Sequence, residues 1–424
     1  MTASLFTNLF IAAVILTMLA RLWLAMRQLA HVAAHRAEVP AAFHEQIGLA
    51  AHQKAADYTS AKVRLAMLTV VFDALLLLVF TLGGGIQLLT LFWQQVFTSN
   101  ILQGIALIAS VMALSSLLEA PFDLYQTFVV EARFGFNKMT FALYLADAVK
   151  SLLLGVLFGL PLLFGVLWLM ERMGDNWWLY VWAVWIGFML LLQFIYPSFI
   201  APLFNKFAPL QDESLKSHIE ALLKKCGFTA SGLFVMDGSR RSMHGNAYFT
   251  GFGKTKRIVF FDTLLQRLST PEVEAVLAHE LGHFKHRHVL KRIAYSFAMS
   301  LAFLWLLAQL MHSAWFYQGL GVAMPKTSLS TAVALLLFFM VLPVFGFLFK
   351  PLLSFYSRRH EFEADRYAAQ QTAAADLTSA LVKMYQDNAA TLTPDPLYSA
   401  VYDSHPPALV RIRHLQTSPS GEQP

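Results

Sequence analysis

Residues 177–198 read WWLYVWAVWIGFMLLLQFIYPS, from Trp177 to Ser198, and contain no Asp, Glu, Lys or Arg. A helix rises about 1.5 Å per residue, so about 20 apolar residues span the hydrocarbon core of a bilayer. The bilayer core has no water to satisfy backbone polar groups, so an apolar run of this length is stable there as a helix. The stretch therefore predicts a transmembrane helix.

The whole chain has the composition of a polytopic membrane protein. Of its 424 residues, 57% are hydrophobic and only 14% are charged, which excludes an ordinary soluble domain. The run 5–26 has no basic residue ahead of it, which predicts a retained anchor rather than a cleaved signal peptide. Seven runs are long enough to cross a bilayer: 5–26, 65–92, 101–118, 150–170, 177–198, 293–312 and 329–349.

The basic residues predict the orientation of these helices. Lys and Arg accumulate in cytoplasmic loops, and a topology with the N-terminus outside leaves only Arg172 and Lys326, of 32 basic residues, in outer loops. Seven spans then place the C-terminus inside. This bias accounts for the net charge of +6, so the lipid bilayer is the expected partner and nucleic acid is not.

The spans divide the chain into four segments of one membrane-embedded unit, 1–424. These are five spans with their loops at 5–199, a cytoplasmic region at 200–292, two spans at 293–349 and a cytoplasmic end at 350–424. Within the first cytoplasmic region, β-branched and aromatic residues predict a small sheet. Its expected strands are 232–236, 246–251 and 256–260. The single cysteine, Cys226, excludes an internal disulfide framework.

The chemistry of the chain is indicated by His279-Glu280-Leu281-Gly282-His283. Residues four apart share one face of a helix, so both imidazoles can reach one zinc ion. Glu280 is turned away by about 100°, where it can take the proton of the attacking water as a general base. Thr270 is the expected N-cap of this helix, with Pro271 in its first turn.

A catalytic zinc needs a third protein ligand. Beyond the last span, Glu361 and Asp365 are four residues apart and share a helix face, whereas Glu363 points elsewhere. We expect Glu361 to be the third ligand and Asp365 to accept a hydrogen bond from a ligand imidazole. An exposed helix face with ordinary ion pairs would have the same pattern.

Several strings together resemble the zinc-dependent type I CAAX prenyl endopeptidases, which are integral membrane proteases. The similarity runs from the first span to about residue 415. The strings that match the family are HELGH at 279–283, SRRHEFEADRYA at 357–368, EARFGFNK at 131–138, YP at 196–197, APLFNKF at 201–207, NAYFTG at 246–251, RIV at 257–259, DPLYS at 395–399 and HPP at 405–407.

The resemblance implies a mostly α-helical fold. Seven transmembrane helices would surround an intramembrane, water-filled chamber, with a small α+β zinc-metalloprotease region facing it from the cytoplasmic end. One zinc ion per chain is implied as the cofactor. A chamber would also explain ionisable residues at membrane depth, namely Asp73, Glu119 and Asp147.

The same resemblance assigns roles that spacing does not. His405 matches a histidine that donates a hydrogen bond to the developing oxyanion. Arg411 matches a nearby structural or substrate-binding arginine. Asn246 and Ala247 match a strand whose edge pairs with an extended peptide. His286 and His288 lie on other faces of the chain than the two ligand histidines, and no role is assigned to them.

The implied activity is zinc-dependent hydrolysis of a peptide or protein, which is either membrane-associated or lipidated. The brief outer loops and short polar tail suggest a prokaryotic member in a bacterial inner membrane, so CAAX-type substrates stay in question. Degradation of damaged membrane proteins by the same chemistry is one alternative. A metal transporter or non-catalytic scaffold is another, although neither uses Glu280. The sequence leaves the oligomeric state open.

Overall fold

The computed structural model describes residues 1–250, 257–324 and 330–417. Seven helical segments among these residues are long and apolar enough to cross a membrane, and they confirm the predicted fold class. Several continue through short π or 3₁₀ turns, at 126–131, 155–159, 196–200 and 347–349. The segments are Ala3–Ala34, Leu49–Phe80, Asn100–Glu131, Phe141–Arg172, Gly174–Phe204, His288–Leu310 and Thr331–Gln371.

These segments differ from the predicted spans at one point that matters. The run 65–92 is not one helix, because the second segment ends at Phe80 and a separate helix, Gly85–Val96, follows. Gly84 adopts φ +81°, a left-handed conformation that a helix cannot contain. The apolar run is therefore divided between two helices at this glycine. Lys326 and residue 329 lie outside the described residues.

The membrane segments are packed tightly at one end. A large apolar core there includes Phe10, Leu107, Trp177 and Leu337, which come from four different segments. At Gly104 a Cβ atom would lie 2.6 Å from the Cβ of Ala332, so only glycine lets these two helices approach so closely.

Away from that core, some membrane segments have little protein cover. Only 6% of the residues in the most apolar parts of Phe141–Arg172 and Gly174–Phe204 are buried. Asp73 and Glu119 border a cavity of about 270 Å³, as expected of ionisable residues at this depth. Asp147 instead forms a 2.8 Å ion pair with Arg241.

A four-stranded sheet precedes the sixth membrane segment. Its strands are β1 (Phe207–Pro209), β2 (Gly232–Met236), β3 (Ala247–Thr250) and β4 (Arg257–Phe261). The spatial order is β1-β2-β4-β3, in which β2 and β4 are parallel and the outer pairs are antiparallel. Among the described residues, β3 is therefore an edge strand.

The three predicted strands are confirmed with small shifts at their ends, and Gly251 and Lys256 lie outside the described residues. The sequence pattern does not predict β1, because three residues ending in Pro209 are too few to show a strand period. The remaining helices, including 3₁₀ turns, are Ala41–Phe43, Glu213–Lys225, Gly238–Arg240, Asp262–Leu265, Thr270–Lys285, Ala314–Gln318, Ala374–Asp387, Pro396–Tyr402 and Ala408–Thr417.

Two helices carry the candidate ligands. The motif helix is Thr270–Lys285, and the ligand helix is Lys350–Gln371, the final part of the last membrane segment. The prediction that Thr270 is the N-cap of the motif helix is wrong. Ser269 is the cap, because its side chain and that of Glu272 satisfy each other's backbone N–H groups in a capping box.

Candidate metal centre

The motif helix and the ligand helix bring three candidate metal ligands together. His279 Nε2 lies 3.4 Å from Glu361 Oε2, and His283 Nε2 lies 3.4 Å from Glu361 Oε1. The two imidazole Nε2 atoms are 3.2 Å apart. All three ligand atoms lie within 4.8 Å of one another, and this is the one such group found among the described residues. The HELGH stretch and the stretch that contains Glu361 thus meet at one point.

The chemistry of this group fits a metal ion. Glu361 is only 4% exposed, and its Oε2 atom accepts no hydrogen bond among the described residues, with His279 Nε2 and Arg411 Nη1 at 3.4 and 3.7 Å. A buried carboxylate oxygen without a hydrogen bond is costly, and a metal ion bound between the three ligand atoms would offset that cost. Two imidazole nitrogens and one carboxylate oxygen form a donor set that suits zinc and leaves a fourth position open.

Asp365 and Arg411 hold His279 in place. Asp365 Oδ1 lies 2.8 Å from His279 Nδ1, on the ring edge opposite Nε2, the candidate ligand atom. Arg411 donates from Nε and Nη2 to the two Asp365 oxygens at 2.8 and 2.5 Å, a bidentate arrangement. Burial lowers the pKa of His279, but its contacts with Asp365 and Glu361 outweigh that effect and raise the pKa to about 9. Protons therefore compete with a metal for this imidazole.

Of the two candidate catalytic residues, His405 contacts this group, and Glu280 follows His279 on the motif helix. Glu280 is half-buried on the motif helix. His405 Nε2 lies 3.4 Å from Glu361 Oε1, which places the ring at the edge of the ligand group. Its side chain is 64% exposed because it borders a cavity of about 670 Å³. The protein around it still lowers the pKa of His405, which favours the neutral imidazole at pH 7.

Asn246 and Ala247 lie at the start of the edge strand β3. Asn246 C=O accepts from Phe261 N–H in β4, so the backbone groups of Ala247 point to the open edge. The Asn246 side chain accepts the Ala247 N–H at 2.8 Å. The strand contacts the motif helix through Phe249 and Phe284, whose ring centroids are 4.9 Å apart. The edge is therefore close to the candidate ligands.

Two neighbours of the site are not predicted from spacing. His288 Nδ1 lies 3.0 Å from His283 Nδ1, and His288 Nε2 lies 3.0 Å from Glu363 Oε2. Glu363 is turned away from the ligand face of its own helix, as expected, but His288 contacts it from the start of the helix His288–Leu310. His286 is exposed and is not part of the ligand group.

Comparisons with known proteins show the family to which the chain belongs. Residues 28–206 match the family described as CAAX prenyl protease N-terminal, five membrane helices. Residues 209–418 match peptidase family M48. The chain belongs to peptidase family M48. As an M48 protein with seven membrane-crossing helices, it is a multi-pass integral membrane metalloprotease, acts on peptides or proteins and needs a catalytic metal.

Relatives within the family are similar along most of the M48 chain. It is 39% identical over 328 residues to a CAAX prenyl protease 1 homolog of Arabidopsis thaliana, covering 75% of this chain and 74% of that protein. Identity to CAAX prenyl protease 1 of Saccharomyces cerevisiae is 36% over 332 residues, covering 75% and 73%. The crystal structure of S. mikatae Ste24p superposes with a TM-score of 0.88 at 30% identity, covering 97% of this chain and 99% of that one.

Proposed function

We propose that this protein is a zinc endopeptidase that cleaves CAAX-type carboxyl termini of membrane-associated proteins. The observation that carries the proposal is the meeting of His279, His283 and Glu361, with ligand atoms within 4.8 Å of one another. The names of the relatives support the CAAX assignment. Ligands come from segments 200–292 and 350–424, so the chain would act as a single peptidase unit.

Each candidate residue has a distinct role in this proposal. Zinc, held by His279, His283 and Glu361, would supply Lewis acidity to the attacking water and the scissile carbonyl. Glu280 takes the proton of the water and passes it to the leaving amine. His405 donates a hydrogen bond to the oxyanion that develops on the substrate.

Substrate binding is proposed at the edge of β3. An extended peptide can pair with the outward backbone groups of Ala247, once the Asn246 side chain releases the Ala247 N–H. The cavity of about 670 Å³ beside His405 has room for residues flanking the cleaved bond. A lipid group on the substrate would keep it at the membrane where the site lies.

The active site is proposed to face the cytoplasm, with the N-terminus outside and the C-terminus inside. The support is the excess of Lys and Arg on that side of the seven helices. A bacterial inner membrane is the proposed location, for which the brief outer loops are the support.

The test is cleavage of a synthetic membrane-tethered CAAX peptide by the purified chain, with products mapped by mass spectrometry. We expect one cut that releases the last three residues, loss of activity on chelation and its return with zinc. Glu280→Gln should lower kcat by at least about 10²- to 10⁴-fold while the protein still binds metal. Full activity in that variant would contradict the mechanism. Many scattered cuts would instead indicate degradation of membrane proteins by the same chemistry.

A further inference from the structure

We propose that His288 and Glu363 form a hydrogen-bonded relay that orients His283 as a metal ligand. The inference rests on the proposed metal site and assigns a positioning role to two residues outside it. The relay runs from His283 Nδ1 to His288 Nδ1 at 3.0 Å, and from His288 Nε2 to Glu363 Oε2 at 3.0 Å.

The positions of the protons are fixed from both ends. His283 presents Nε2 to Glu361 and His279, so a metal bound there leaves its proton on Nδ1. Carboxylate oxygens only accept hydrogen bonds, so His288 must donate from Nε2 to Glu363. The Nδ1 atom of His288 is then an acceptor, which is the partner that His283 Nδ1–H needs. One neutral tautomer of each histidine satisfies both hydrogen bonds of the relay.

The surroundings of His288 restrict its ring to this orientation. The residue is 4% exposed. The His360 ring stacks on it at a centroid distance of 3.9 Å and an angle of 9°. Arg359 donates from Nε to Glu363 Oε1 at 3.3 Å, which steadies the far end of the relay.

The turn between the motif helix and the next helix delivers His288 to the site. Arg287, just before it, has φ +56° and ψ +32°, a left-handed conformation that a non-glycine residue adopts at a cost. This turn brings the first residue of the helix His288–Leu310 back against His283. The same chain direction without the turn would carry His288 away along the motif helix axis.

Both ligand histidines are thus held by carboxylates of the ligand helix, but in different ways. His279 contacts Asp365 directly, whereas His283 reaches Glu363 through His288. The ligand helix supplies all three acidic residues of this arrangement. Glu361 is the candidate ligand, Asp365 contacts His279, and Glu363 contacts His288. Partners of this kind fix the ring orientation and raise the basicity of a ligand, and their loss weakens metal binding about 10- to 100-fold.

The test measures zinc affinity of the purified full chain by competition with a chromophoric chelator, without any peptide substrate. We expect His288→Ala to raise the zinc dissociation constant about 10- to 100-fold. Glu363→Ala should raise it less, because Glu363 is partly exposed and water can replace the carboxylate. The double variant should bind zinc no more weakly than His288→Ala, because both changes interrupt one chain of hydrogen bonds.

His312→Ala is the control, since it removes an exposed histidine just beyond the far end of the helix that begins at His288. It should leave zinc affinity within about twofold, and a loss equal to that of His288→Ala would overturn the proposal. His279→Ala separates the two claims. If it abolishes zinc binding while His288→Ala and Glu363→Ala bind zinc normally, the relay is wrong and the metal site stands. If it leaves binding intact, the metal site itself is wrong. Should His288→Ala fail to fold, Glu363→Ala decides the question alone.

Discussion

Gly282 of the motif helix lies directly against Ala364 of the ligand helix. A Cβ atom on Gly282 would be 2.9 Å from the Cα of Ala364 and 3.1 Å from its carbonyl oxygen. Real Cβ atoms do not approach backbone so closely, so glycine is what allows the two helices to pack at this separation. Their contact sets the distance between His283 and Glu361, and the glycine inside the motif is therefore structural.

Gly282→Ala should push the two helices apart. The added methyl group meets backbone, which cannot rotate away, so we expect a loss of about 1 to 3 kcal/mol in stability and weaker metal binding. Thermal unfolding in detergent and chelator competition measure the two effects. Gly187→Ala is the matched control, because nothing lies within 4 Å of a Cβ there. Equal behaviour of the two variants would contradict the close approach.

Arg411→Ala should be strongly destabilising. It leaves Asp365, which is fully buried, without its bidentate partner, and breaking a buried ion pair typically costs about 3 to 5 kcal/mol. Arg411→Lys keeps the charge but loses the two-pronged contact, so its loss should be smaller. Chemical unfolding of these variants, with exposed Arg413→Ala as the control, measures the difference. An unchanged free energy of unfolding in Arg411→Ala would contradict the bidentate contact between Arg411 and Asp365.

Glu272 should make stability depend on pH in acid. Burial raises its pKa, but bonds from Lys383, Ser379 and the Ser269 backbone outweigh this and lower the pKa from 4.5 to about 2. The folded pKa lies below the unfolded one, so the contribution is complete above about pH 4.5 and is lost as pH falls toward 2.

Glu272→Gln tests that dependence. At pH 7 the variant should lose about 1.5 to 3 kcal/mol, because charge-assisted hydrogen bonds are removed. Its difference from the natural protein should shrink between about pH 4.5 and 2. Unfolding midpoints across this range measure it, and Glu213→Gln, on an exposed side chain, should change little. A difference that stays constant down to pH 2 would show that the Glu272 carboxylate is not stabilised as described.

The orientation in the membrane can be tested with single cysteines. Replacing Cys226 with Ser leaves no thiol, and Asp175→Cys and Ser217→Cys then mark two exposed positions on opposite sides. A membrane-impermeant maleimide added to intact cells should label the former and not the latter. Permeabilisation should expose both. The reverse pattern of labelling would contradict the proposed topology.

The sequence predicts within-helix relationships better than contacts between helices. His279 and His283 share a face at a spacing of four, as do Glu361 and Asp365, and both pairs are readable from helix geometry. The number of membrane segments is readable too, because about 20 apolar residues are needed for each crossing. The role of His405 came from family resemblance, since spacing alone gives only a turn histidine.

The cap of the motif helix and the break in the run 65–92 are two features that the sequence does signal. Ser269 and Glu272 have the spacing of a capping box, a stronger signal than Thr270 alone. Three consecutive glycines at 83–85 mark the break in the run 65–92. The contact between His288 and Glu363 is different in kind. It joins residues that are 75 positions apart on two different helices, and no local pattern encodes it.

The most direct test of the central claim is anomalous scattering from crystals of the purified protein, measured on both sides of the zinc absorption edge. We predict one zinc peak per chain, within about 2.0 to 2.2 Å of His279 Nε2, His283 Nε2 and a Glu361 carboxylate oxygen. A zinc peak on His286 or His288 instead, or a metal-loaded active protein with no peak between the motif helix and the ligand helix, would contradict the assignment.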